Sequence, residues 1–168
     1  MTQEIKTEYC DERYTMAPQT NTDPPLRLLM AFHQTFDGAS PEWILQAPGR
    51  EMWVAATAAT ADYTIHAPDL EQRTTFSWRS ARQKHTVLKR PLPKWARFPA
   101  GVIVHLTDKG MDVPGIKAVF VGEESGPRYD YAAGVAFAAL WHHITDAHYT
   151  SSSLIDVVEA ARRDYVDK

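Results

Sequence analysis

The sequence predicts an α+β fold, a mixed sheet with helices on one face. Three observations lead there. Short β-branched or alternating runs cluster in the first half of the chain. Long runs with helical spacing dominate the second half. One further strand-like run, Ile116–Val121, falls between two of those helices, so strands and helices do not alternate strictly. The 168 residues suit one domain, and 44% hydrophobic with 23% charged residues is ordinary globular composition.

Residues 1–25 read as a disordered or extended tail, rich in Thr, Glu, Asp and Gln and ending in Asp23-Pro24-Pro25. The domain is expected over residues 26–168. Its first helix is predicted from Leu26 to Phe36, because Leu28, Leu29, Phe32 and Phe36 share a face and Asp37-Gly38 stops it. Trp43–Leu45 is a short apolar run closed by a turn. Met52–Ala56 reads as a buried strand and Arg73–Trp78 as an alternating one, with Thr86–Leu88 as its hairpin partner. Trp95, Phe98, Val102, Ile103 and Leu106 form an amphipathic helix with Gly110 past its end. Tyr131–His143 is an Ala-rich helix in which Gly134 permits close approach. The last helix opens at Ser151–Ser153 and buries Leu154, Val157, Val158, Ala161 and Tyr165.

Several classes are set aside by composition. A formal net charge of −3 does not suit nucleic-acid binding through the whole surface. No apolar run is long enough to span a membrane, and the first residues carry no secretory core, so a cytoplasmic protein is expected. Cys10 is the only cysteine, which leaves no cysteine metal cluster. Arg79, Arg82, Lys84, Lys89, Arg90, Lys94 and Arg97 contain no acid among them and read as a solvated hairpin and loop. His142, His143, Asp146 and His148 crowd a helix end, where cations are favoured, and read as structural rather than metal-binding.

The linear order of motifs resembles the N-terminal half of galactokinase and its relatives in the GHMP sugar-kinase superfamily. The motifs are Phe32-x3-Phe36-x-Gly38-x2-Pro41, Ala47-Pro48-Gly49-Arg50, Asp62-Tyr63, Trp95-x2-Phe98-x2-Gly101-Val102-x3-Leu106-x3-Gly110, Val113-Pro114-Gly115-Ile116, Ala132-Ala133 and the closing Ala160–Val166. The resemblance covers roughly residues 28–167. It implies an α+β domain related to the second domain of ribosomal protein S5.

The resemblance also implies site residues. Ala47–Arg50 matches the family's A-P-G-R, which makes Arg50 the catalytic-position arginine near the reacting hydroxyl and phosphoryl group. Asp62 and Tyr63 match the sugar-contacting Asp-Tyr, with about three residues inserted before them. The family's G-x-G-L-S-S-S-A-A phosphate loop aligns with Ser125–Ala133. At that position Gly126, Arg128, Tyr129, Asp130 and Tyr131 stand, Pro127 removes an N–H donor, and Asp130 brings negative charge. The chain ends where the family's catalytic aspartate segment would begin.

The expectation is therefore a degenerate, half-length galactokinase-like protein with a binding or regulatory role in carbohydrate metabolism. No metal and no cofactor are expected, with ATP and magnesium entering only if kinase function is retained. A sugar is the expected ligand. A homo-oligomer or protein partner is expected to replace the missing half, with Tyr129, Tyr131 and Trp141 as anchors and Phe137 suiting the core better than the interface. Two alternatives stand beside this: a sugar 1-kinase fragment completed by a dimer mate or second polypeptide, and a pure protein-interaction module.

Overall fold

A computed structural model describes residues 23–168. The expected tail lies almost entirely outside that range. The chain runs α1 (Leu26–Thr35), β1 (Trp43–Gln46), β2 (Met52–Ala58), β3 (Tyr63–Ala67), β4 (Gln72–Phe76), α2 (Trp78–Arg82), α3 (Arg97–Asp108), β5 (Ile116–Gly122), α4 (Pro127–Ile144) and α5 (Ser151–Ala161). A π-helical turn, Arg162–Val166, extends α5.

The five strands order as β1-β2-β5-β3-β4. Two antiparallel hairpins, β1–β2 and β3–β4, flank β5, which is antiparallel to β2 and parallel to β3. The mixed α+β sheet expected from the sequence is therefore present.

Alternation along the strands produces two apolar faces. One face, with Met52, Val54, Ile65, Phe76, Ala118 and Phe120, packs under α3, α4 and α5. Ala55, Val119 and Val121 point the other way and are covered by Leu28, Phe32 and Phe36 of α1 and its exit. The three later helices thus share one face, and the first helix takes the other. Trp95, Phe98, Val102, Leu106, Leu154, Val158 and Ala161 are buried as expected, with Val135 and Ala139 beside them, whereas Val157 is only partly buried. Gly134 earns its place by proximity: a Cβ there would lie 3.2 Å from Phe98 Cβ and 3.4 Å from Val158.

Local differences from the sequence reading have physical causes. β4 ends at Phe76 because Ser77 caps α2, its hydroxyl accepting from Ser80 N–H in a reciprocal capping box. Trp78 therefore begins a helix instead of ending a strand. Thr86–Leu88 is not a strand. Lys84 and Lys89 both sit at positive φ and turn the segment, which touches β4 through Val87 N–H to Thr75 O at 3.0 Å. β3, unread in the sequence, shows full alternation of burial over Tyr63–Ala67. The cap of α5 is Thr150, which exchanges hydrogen bonds with Ser153, one residue before the expected serines.

Within the basic stretch a short antiparallel bridge, His85 with Pro91, closes a hairpin-like turn, with Thr86 N–H donating to Arg90 O at 2.7 Å and Leu92 N–H to Lys84 O at 2.9 Å. Arg82 pairs with Asp108, Lys84 donates to the Lys168 carbonyl at 2.8 Å, and Arg97 Nε donates to Leu92 O at 3.4 Å. His142 is structural in part: it is buried, with Nδ1 2.7 Å from Ala138 O.

The expected association anchors are corrected. Tyr129, Phe137 and Trp141 are buried in the domain's own core, because α4 packs along the sheet with α3 and α5 beside it. Of the four aromatics only Tyr131 remains partly exposed.

Candidate functional site

Arg50 is placed by a tight turn between β1 and β2. Ala47 N–H donates to Met52 O at 2.8 Å and Arg50 N–H to Ala47 O at 3.1 Å. Gly49 takes φ 71° in that turn, and Gln46 Nε2 holds the Arg50 carbonyl at 2.9 Å. The guanidinium then reaches Glu124, with Nη1 3.4 Å from each carboxylate oxygen, and lies 4.8 Å from the Tyr131 ring centroid. Both partners of the ion pair are largely shielded, so the charge of Arg50 is neutralised in place.

Glu124 belongs to the turn after β5, which leads into α4. Gly126 ends that turn at φ 59°, ψ −141°, a conformation that side chains avoid. Arg128 Nε lies 4.0 Å from Glu124, while its side chain is exposed. One carboxylate therefore faces two guanidinium groups.

The other residues at the phosphate-loop position are committed elsewhere. Tyr129 donates to Asp69 Oδ2 at 2.9 Å, with Phe120 O at 3.3 Å. Burial, then the Asp69 charge, raises its pKa. Asp69 also accepts from Gly122 N–H at 2.9 Å and pairs with Arg27, which reaches Glu123 at 3.1 Å. Tyr131 donates to Glu159 at 2.8 Å, and burial followed by that bond pushes its pKa up to about 12. Glu159 is in turn held by Arg162 at 2.6 Å, and its pKa is lowered by Arg162 first and Tyr131 second. Desolvation raises the pKa of Asp130, against the opposing effect of Lys94.

Asp62 and Tyr63 are not brought to this place. Tyr63 pairs with Ile116 at the start of β5, whereas Met52, two residues after Arg50, pairs with Gly122 at its end. Six residue steps of about 3.3 Å separate the two ends by roughly 20 Å. Tyr63 is also buried, donating to Val113 O and stacking on Phe76 at 5.5 Å. Burial pushes its pKa up to about 12. Asp62 is exposed beside it. Arg50 and the start of α4 thus form one cluster, and Asp62 with Tyr63 lies outside it.

Glu124, Asp69 and Glu159 were missed in the sequence. The adjacent Glu123-Glu124 in the turn before the phosphate-loop position was the available signal for the first. Asp69 and Glu159 carried none, being distant in sequence from the tyrosines they hold. No three His, Cys, Asp or Glu side chains among the described residues gather as a metal-holding group. None of their helices is long and apolar enough to cross a membrane.

No protein-family model matches the sequence, and no curated protein does. Solved structures do match in fold. Lactococcus lactis galactokinase complexed with galactose superposes with a TM-score of 0.63 at 13% identity, covering 84% of this chain and 42% of that one. A mevalonate kinase superposes with a TM-score of 0.52 at 6% identity, covering 67% of this chain and 37% of that one. The chain therefore spans less than half of either kinase. Its mixed α+β sheet with helices resembles the N-terminal domains of galactokinase and mevalonate kinase in fold.

Proposed function

We propose that this chain is a galactokinase-like binding domain with a regulatory role in carbohydrate metabolism, and that alone it is not a competent sugar kinase. The ion pair between Arg50 and Glu124 carries this reading. A guanidinium that is to stabilise a phosphoryl group must be available to negative charge. Here a carboxylate already holds it, so a phosphoryl group would first have to displace Glu124 from Arg50. Asp130 adds a carboxyl group at the phosphate-loop position, whereas Tyr129 is turned into the core.

The same cluster suits a neutral polyol. Glu124 supplies hydrogen-bond acceptors, Arg50 supplies donors, and the Tyr131 ring lies under the Arg50 guanidinium. A sugar is thus the proposed ligand at Arg50, Glu124 and Tyr131, without Asp62 or Tyr63. A homo-oligomer or protein partner remains part of the proposal. Isothermal titration tests the binding claim. Galactose is expected to bind saturably and Glu124→Gln to weaken it, with no saturable heat from ATP and magnesium. ATP binding with no galactose binding would overturn the reading.

A second reading is a kinase half completed by another polypeptide. It is supported by the fold shared with part of a galactokinase and by the retained Ala47-Pro48-Gly49-Arg50. Phosphorylation of galactose on mixing with a separately encoded C-terminal half would establish it.

A further inference from the structure

β4 is an edge strand, the one farthest from β1 in the sheet order and so away from Arg50. Its register with β3 sets Thr64 opposite Thr75 and His66 opposite Arg73. Thr75 O accepts from Val87 N–H at 3.0 Å, so it points away from β3. The N–H and C=O of one strand residue leave on the same side, and that side alternates along the strand. Thr75 and Arg73 therefore turn their backbone groups outward, while Thr74 between them turns towards β3. The hydroxyls of Thr64 and Thr75, 3.0 Å apart, fit the closely spaced pair that this requires. Of the outward groups only Thr75 O has a backbone partner among the described residues. Arg73 N–H, Arg73 C=O and Thr75 N–H face an open edge.

A groove of about 580 Å³ lies along that edge, between β4 and the segment 86–93. Arg73 and Arg90 border it and no acidic residue does. Both arginines are exposed, and neither has an ion-pair partner among the described residues. The Arg73 guanidinium stands 5.7 Å from the centre of the Phe36 ring, on the face of the sheet that α1 covers. Val87 and Leu88, 41% and 72% exposed, put apolar surface on the groove's other wall.

We infer that this edge is a docking site for an extended acidic peptide of a protein partner, added to the sheet beside β4. Unpaired strand groups supply the backbone hydrogen bonds of such an addition. Two arginines without an acid among them call for carboxylates. One peptide residue would exchange both backbone hydrogen bonds with Arg73, and directly opposite residues share a face, so that residue is an acid. Period-two alternation then brings the next acid to the same face and leaves apolar residues between them for Val87 and Leu88. A second copy pairing β4 with β4 would instead bring two sets of unpaired arginines together, a juxtaposition that repels. The site shares no residue with the Arg50 cluster, so its variants should leave galactose titration unchanged.

The probe is a fluorescein-labelled peptide of about eight residues in which Glu and Val alternate, titrated into the full chain and followed by anisotropy. A Kd below about 200 µM is expected, with at least a tenfold loss in Arg73→Glu/Arg90→Glu. That double variant should in turn bind the corresponding Lys and Val peptide. Both positions are exposed, so the fold is expected to survive, and an unchanged melting temperature verifies it. Two modified peptides test the pairing on the unaltered protein. N-methylation of the Glu nitrogens removes the donor to Arg73 O and should abolish binding, whereas N-methylation of the Val nitrogens, which face away from β4, should preserve it. Absence of saturation by about 2 mM, or equal effects of the two methylations, would overturn the proposal. Displacement of the peptide by a uridine oligonucleotide of equal charge, or self-association of the chain lost in Arg73→Glu, would assign the edge to another occupant and overturn it as well.

Discussion

Tyr129→Phe isolates one hydroxyl at the phosphate-loop position. The ring is 1% exposed and the hydroxyl lies 2.9 Å from an Asp69 oxygen. A hydrogen bond to a charged acceptor contributes about 1.5–3 kcal/mol. Asp69 keeps Gly122 N–H and Arg27 and is partly open to water, so the loss should fall near the low end, about 1.5–2 kcal/mol. For a domain of this size that corresponds to a fall of about 3–8 °C in melting temperature. Urea unfolding of Tyr129→Phe, Asp69→Asn and the double variant gives the coupling, expected near 1 kcal/mol. Galactose affinity should not change, because the hydroxyl faces Asp69 and not Arg50. A coupling below about 0.3 kcal/mol, or a variant of unchanged stability that loses its ligand, would refute the assignment of Tyr129 to structure.

Three further outcomes are expected. Leu106→Ala, at a buried position on α3, should cost about 2–5 kcal/mol in urea unfolding. Gly126→Ala should cost about 1–3 kcal/mol through backbone strain alone, since no atom lies within 4 Å of the added Cβ. Tyr63, Tyr131 and Tyr165 have pKa values raised to about 12, each chiefly by burial. A raised folded-state pKa stabilises the fold fully below the unfolded value near 10 and is lost as pH rises towards 12. Alkaline unfolding should therefore begin above about pH 10 and coincide with tyrosinate absorbance, and tyrosinate forming in a still-folded chain would contradict it.

The helices of the second half were legible because Trp95–Leu106 and Leu154–Tyr165 keep helical apolar spacing, and burial follows that spacing. Tyr63–Ala67 alternates just as plainly, but five residues beside the Asp62-Tyr63 motif are a short signal for a strand. Thr86–Leu88 misled through β-branching, while the left-handed turns at Lys84 and Lys89 decided its path. At the site, Arg50 was visible from its tetrapeptide. Its neutralisation was not, because Glu124 lies 74 residues away and only the sheet brings the two together. The separation of Tyr63 from Arg50 has the same origin: register places them at opposite ends of β5.

The strand order has a consequence for how the chain is made. β1–β2 and β3–β4 are local hairpins, but they are not neighbours in the sheet until β5 lies between them. β5 begins at Ile116, 49 residues after β3 ends at Ala67. During synthesis at about 5–20 residues per second, the two hairpins must wait several seconds for the strand that joins them. Through that interval the inner edges of β2 and β3 stay unpaired and the apolar faces later covered by α4 and α5 stay open. A nascent chain stalled before residue 116 would thus hold two unjoined hairpins, the state in which a holding chaperone or a mispaired neighbouring chain can engage it.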